Sequence, residues 1–213
     1  MPKLTLDRIY KGYGSRCVIR NATATLDVGA HLLEGGNGVG KSTLLSIVAG
    51  TLKPTGGNVF LDGKDIVSRY SGSGPRVAFV PAEPAFFEGI SVISALRLYL
   101  ALRGDVSVHD PLKESDPFDL RQVSEVRFGD LSLGWRKRVL LHMALVPDTD
   151  LVILDEPTVG LDQSSVEILA EMVDAKRSDR VLVLTCHEPA SLASANLCRH
   201  LLESTPGGSI LRS

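Results

Sequence analysis

The run Gly35-Gly36-Asn37-Gly38-Val39-Gly40-Lys41-Ser42 constrains the fold of this chain more than any other. It fits G-x-x-x-x-G-K-[ST], a pattern that needs a strand before it and a helix after it. Both are present in the sequence. His31–Glu34 reads as a short strand, and Ser42–Ala49 as a helix stopped by Gly50 and Pro54. The glycines permit positive φ, so successive N–H groups can turn inward around an anion. The helix that follows aims its positive dipole end at the same point. The candidate phosphate-binding residues are therefore Gly35, Gly36, Asn37, Gly38, Val39, Gly40, Lys41, Ser42 and Thr43. Lys41 is expected to reach the terminal phosphates and Ser42 to ligate Mg²⁺ through its hydroxyl.

Strands and helices alternate along the rest of the chain, which predicts an α/β fold. Strands are expected at Leu4–Ile9, Thr23–Val28, Asn58–Leu61 and Val77–Val80. Helical spacing runs from Val92 to Leu102, and Gly104 ends it. Residues 105–118 are polar and hold Pro111 and Pro117, so they read as loop and short helix. A helical lobe over 84–135 is thus expected as an insertion in one domain spanning 1–213, whose core comprises 1–83 and 136–213. Further on come a helix (about 133–146), a strand (151–155), a helix (about 163–176) and a strand (181–185). A short helix near Pro189 follows, and Pro206-Gly207-Gly208 marks a final hairpin. The formal net charge of −2 comes without a basic tail, which argues against a nucleic-acid partner. The cluster Arg136, Lys137, Arg138 is read as a solvated helix face. Three cysteines without a C-x-x-C pair are expected to stay reduced, in the cytoplasm.

Chemistry concentrates in a second stretch, 131–162. The apolar run Leu151-Val152-Ile153-Leu154 ends in Asp155-Glu156 and delivers two carboxylates to a sheet edge. Asp155 is expected to hold the Mg²⁺ shell, and Glu156 to polarise an attacking water. His187 follows the strand 181–185, at the carboxyl edge where ligands gather in open α/β sheets. Upstream, Leu131-Ser132-Leu133-Gly134-Trp135 opens a helix and offers a second phosphate-facing turn.

With these motifs in this order, the chain resembles the ATP-binding subunit of ABC transporters, small exporter-type, over essentially its full length. Gly35–Thr43 resembles the Walker A loop. Leu151–Glu156 resembles Walker B with its catalytic glutamate. Residues 131–135 stand where the LSGGQ signature stands. Leu161-Asp162 resembles the D-loop, His187 the switch histidine, and Tyr13 the aromatic that stacks on adenine. The resemblance implies a P-loop NTPase core of mixed sheet and flanking helices, with an N-terminal antiparallel β subdomain and an inserted helical subdomain ending in the signature. It also implies Lys41, Glu156 and His187 as catalytic residues, and ATP with Mg²⁺ as substrate. Ser132, Leu133, Gly134 and Trp135 would act in trans, on the ATP of a second nucleotide-binding subunit, a homodimer more readily than a heterodimer. A transmembrane permease subunit would be the other partner, at the inner face of the cell membrane.

Two motifs depart from the family pattern. Ala82 stands where a glutamine contacts Mg²⁺, with Glu83 one residue out of register. Leu133 and Trp135 replace a glycine and a glutamine, while Ser132 and Gly134 are kept. Either the second clamp is weakened, or the change is tolerated because the helix-start amides survive; the second reading is favoured. Two other roles fit the resemblance: a soluble ATPase of iron–sulfur assembly type, and the cassette of the cytochrome c maturation exporter.

Overall fold

The structure is a computed structural model and describes residues 2–66, 75–104, 110–192 and 194–212. Among these residues the strands are β1 (Leu4–Tyr13), β2 (Arg16–Leu26), β3 (Gly29–Glu34), β4 (Gly56–Leu61), β5 (Lys64–Asp65), β6 (Val77–Val80), β7 (Leu151–Leu154), β8 (Val181–Leu184), β9 (Leu197–Thr205) and β10 (Gly208–Arg212). The helices are α1 (Lys41–Val48), α2 (Val92–Leu102), α3 (Leu133–Leu145) and α4 (Gln163–Lys176). The strands form one mixed sheet in the order β5-β4-β1-β2-β10-β9-β3-β8-β7-β6. Its β9-β3-β8-β7-β6 portion is parallel, and β5-β4-β1-β2 is antiparallel.

The parallel portion is covered on both faces, so its strands are apolar throughout rather than alternating. Every residue of β7 and β8 is buried. Successive side chains point to opposite faces. Leu151 and Ile153 join Leu44, Leu45, Ile47 and Val48 of α1 and the inner face of the antiparallel strands. Val152 and Leu154 join α2, α3 and α4 on the other side. The chain thus enters the sheet edge from β3 and β7 with helices waiting on both faces.

The bounds and regularity of several elements sharpen the expectation. The strand read at Thr23–Val28 is the later part of β2, and the one at Leu4–Ile9 continues to Tyr13. Register shifts along β1, with Arg8 at φ 48° and Asn21 at φ 52°, break the alternation by which such strands are recognised. The stretch 84–135 holds α2 and short 3₁₀ turns at Leu120–Val123 and Phe128–Asp130. Its buried residues Val92, Leu96, Phe118, Leu120 and Phe128 share one core with the sheet. Finally, the short helix near Pro189 is one 3₁₀ turn, Pro189–Leu192. The closing hairpin is as expected, with Thr205 opposite Gly208.

Candidate active site

β3 feeds the glycine loop. Gly35 lies at φ 152°, and a Cβ there would sit 2.5 Å from the Leu202 carbonyl oxygen, so only glycine fits against β9. Gly40 takes a left-handed conformation at the start of α1, and no side chain caps the helix. The first-turn N–H groups are therefore unclaimed by any capping side chain. Lys41 Nζ donates to the carbonyls of Gly35 (2.8 Å) and Gly36 (3.2 Å), folding its charge over the loop. Ser42 is exposed beside it. Tyr13 ends β1 at the tight turn into β2, exposed, with Lys11 Nζ 4.9 Å from its ring centre. Residues Val18 and Ile19 of β2 abut Gly40, which brings that hairpin to the loop.

The acids sit two strands away along the same edge. Asp155 and Glu156 follow β7, and both are buried. Asp155 N–H donates to the Val80 carbonyl, so the ends of β6 and β7 are tied together. Thr185, one residue past β8, organises the pair. Its hydroxyl donates to Asp155 Oδ1 at 2.7 Å and accepts the Glu156 N–H at 2.9 Å. Glu156 adopts φ 47°, a left-handed conformation uncommon outside glycine. Its Oε1 lies 3.7 Å from His187 Nε2, while its Oε2 is buried without a hydrogen-bond partner among the described residues. Thr185 was not singled out from sequence. Its signal was available: a hydroxyl closing an otherwise apolar strand, next in the sheet to the acidic one.

At the start of α3, Ser132 caps the helix, its hydroxyl accepting the Trp135 N–H at 3.4 Å. The glycine at 134 has a steric cause: a Cβ would lie 2.6 Å from the Gly160 carbonyl. Leu133 is exposed and packs against Gly160. Trp135 packs on the core, with the Arg138 guanidinium 4.5 Å over its ring. Asp162 caps α4 through the Ser165 N–H at 3.0 Å and pairs with Arg138. The hydroxyl and N–H of Ser165 hold its carboxyl down at about 2.

The reading of 136–138 as a solvated face is overturned. Each of these side chains grips a different segment of the same chain. Arg136 donates to the carbonyls of Leu131 and Gly129. Lys137 is fully buried and donates to the carbonyls of Pro81 (3.1 Å) and Ala82 (2.9 Å). Arg138 takes Asp162. Burial pushes the Lys137 ammonium down to about 8, against the opposing pull of Asp155 and Glu156.

Comparison with known proteins agrees with this architecture. A family model described as ABC transporter matches residues 20–159. The Nod factor export ATP-binding protein I of Cupriavidus pinatubonensis is 34% identical over 195 residues, covering 86% of this chain and 58% of that protein. The ABC transporter ced-7 of Caenorhabditis elegans is 27% identical over 192 residues, 85% of this chain but 11% of that protein. The chain thus spans from about a tenth to somewhat over half the length of these relatives. Among solved structures, an ATP-binding subunit of an ABC transporter superposes with a TM-score of 0.79, at 21% identity, over 97% of this chain and 87% of that one, a likeness of fold. The match across residues 20–159, carried on this fold, shows that the chain belongs to the ABC transporter family, as an ATP-binding cassette.

Proposed function

We propose that the chain binds and hydrolyses ATP, dimerises around it with a second copy, and drives a separate transmembrane permease from the inner face of the cell membrane. One observation carries the hydrolytic part: Glu156 Oε2 is buried, unpartnered among the described residues, and sits on a carboxylate steered from one side by His187. A carboxylate with a free lone pair in a water-poor pocket can take a proton from an attacking water. Lys41 and the loop amides would hold the β- and γ-phosphates. Thr185 fixes Asp155, so that its carboxylate and the Ser42 hydroxyl can share a hard cation. This all-oxygen donor set fits Mg²⁺, which when bound would neutralise charge on the phosphates. Tyr13 would stack on the adenine. Ser132, Leu133, Gly134 and Trp135 of the second copy, with Asp162 alongside, would close over the γ-phosphate. The nucleotide-binding core is 1–83 with 136–213, and 84–135 is the helical subdomain ending in the signature.

No helix among the described residues is long and apolar enough to cross a membrane. The transmembrane step is assigned to the permease on the strength of family membership.

The test is Glu156→Gln. ATP affinity should stay within about twofold while hydrolysis falls by at least about a hundredfold, the scale of a lost general base. An ATP-dependent dimer should then accumulate on size-exclusion chromatography. Hydrolysis at the wild-type rate would remove Glu156 from the chemistry.

A further inference from the structure

Lys137 presents a charge where none is expected. A lysine is almost never fully buried unless its charge is matched. The two carbonyls it bonds, on Pro81 and Ala82, are neutral dipoles and satisfy its N–H groups without cancelling the charge. The negative charge nearby is Asp155 and Glu156, which act on it electrostatically. Those two acids need a counter-charge as much as the lysine does. Both are buried and adjacent, and among the described residues the one ion pair they make is the 3.7 Å contact between Glu156 and His187. The topology explains the meeting. β6 and β7 are parallel neighbours paired at Val80 and Leu154, so the turn after β6 runs beside the acids. α3 crosses beneath that turn on the same face of the sheet, sharing the core of Val80 and Leu154. Ala82 has only a methyl group to offer, and the turn answers α3 through backbone oxygens instead.

We propose that Lys137 is a positioning residue for hydrolysis: its buried ammonium pins the Pro81–Ala82 turn to α3 and supplies the fixed positive charge that holds Asp155 and Glu156 in place. The proposal rests on the reading of Glu156 as the base. It makes α3 a direct link between the phosphate-facing turn at 132–135 and the acids, five residues and one buried charge apart. A lysine used only to fasten the turn would behave differently. Deleting the ammonium with an apolar side chain would leave both acids without their counter-charge and two carbonyls without a donor, and so would cost stability under either reading. A fastening role needs only N–H donors at the two carbonyls, whereas a positioning charge needs the ammonium as well, so a neutral donor of similar length tells them apart.

The experiment compares Lys137→Gln and Lys137→Arg in the full chain, with thermal melting, ATP affinity and steady-state turnover measured on each. Lys137→Gln keeps N–H donors for the Pro81 and Ala82 carbonyls and loses the charge. It should bind ATP within about twofold, with kcat down at least about tenfold, one order of magnitude being about one buried charge interaction. Lys137→Arg, which keeps the charge, should recover most of that kcat. Wild-type kcat in Lys137→Gln would overturn the proposal. So would an arginine variant no better than glutamine. Adding Lys137→Gln to Glu156→Gln separates the two readings. If Glu156→Gln alone keeps turnover, the base assignment fails. If Glu156→Gln loses turnover and Lys137→Gln does not, only the role of Lys137 fails. If both hold, the double variant should turn over no more slowly than Glu156→Gln.

Discussion

Helices α1 and α3 both begin at the sheet edge that carries the site, and they meet it in opposite ways. α1 starts from Gly40 in a left-handed turn with no capping side chain, beside loop residues 36–38 that are exposed. Its one charge, Lys41, stands at its first position. α3 starts from Ser132, which caps it with its own hydroxyl, and its first turn lies against Gly160. Its charges sit in the second turn and reach back into the protein, to 129–131, to 81–82 and to Asp162. α1 keeps its dipole end uncapped and folds its one cation back over the adjoining loop, on the Gly35 and Gly36 carbonyls. α3 has bound its cations to three other segments and so carries the position of one part of the site to another. A helix terminus with free amides is a site in itself, whereas one knitted to its neighbours acts through them.

The comparison breaks first at Lys41. If Lys41 holds the β- and γ-phosphates as proposed, Lys41→Ala removes two charge-assisted contacts while leaving the loop glycines in place. At about 1.5–3 kcal/mol each, the loss is about 4 kcal/mol, or about a thousandfold in ATP affinity. Equilibrium dialysis with radiolabelled ATP reads it directly. An affinity within about tenfold of wild type would mean that the open helix end alone holds the anion, and that the cation is incidental.

How much of this was written in the sequence follows the same division. The glycine loop, Lys41 and the Leu151–Glu156 strand were readable because their geometry is local: turn, strand and helix are set by neighbouring residues. β7, α2 and α4 also fell within a residue of their expected bounds. Arg136, Lys137 and Arg138 were misread because nothing in a run of three cations reveals partners 7, 55 and 24 residues away. A helical stripe of charge looks the same whether water or a carbonyl receives it. The first half of β2 was missed for a different reason: Arg20 and Asn21 are exposed in succession, with Asn21 at φ 52°, and the alternation breaks there. Thr185 is an intermediate example. Its role depends on β8 lying next to β7, which α/β order implies but a single sequence does not fix.

Acid should separate the two helices next. α1 buries no titratable group, but α3 buries His142 in its last turn, with Nδ1 unpartnered. Desolvation lowers its pKa from 6.5 to about 4, so the folded protein keeps it neutral. The unfolded chain binds a proton below pH 6.5 that the folded one refuses. The stabilisation is present in full above that pH and is lost as the pH falls toward 4, by about 3 kcal/mol. His31 and His200, which bond one another at 3.0 Å across β3 and β9, are lowered by burial as well and steepen the same slope. Urea denaturation from pH 7 to pH 4 should show His142→Leu losing less stability on acidification than wild type. Equal slopes would mean that α3 opens to solvent before it protonates.

The smallest effect tests the cap of α3 itself. The Ser132 hydroxyl bonds the Trp135 N–H at 3.4 Å, at an exposed position, so the bond is long and weak. Ser132→Ala should therefore cost no more than about 0.5 kcal/mol of stability, the low end for a helix cap. A hydroxyl held so loosely is free to exchange Trp135 for a phosphate oxygen, at little expense to the helix it leaves. If the same hydroxyl faces the ATP of a second copy, its loss removes a hydrogen bond to a charged group, worth about 1.5–3 kcal/mol. The ATP-dependent dimer should then weaken about tenfold or more, while ATP binding to the monomer is unchanged. Analytical ultracentrifugation of Ser132→Ala in the Glu156→Gln background, where ATP persists, measures that difference. A dimer as tight as its Glu156→Gln parent would confine Ser132 to capping, and the difference between α1 and α3 would then be complete: one helix end for ligand, the other for the protein alone.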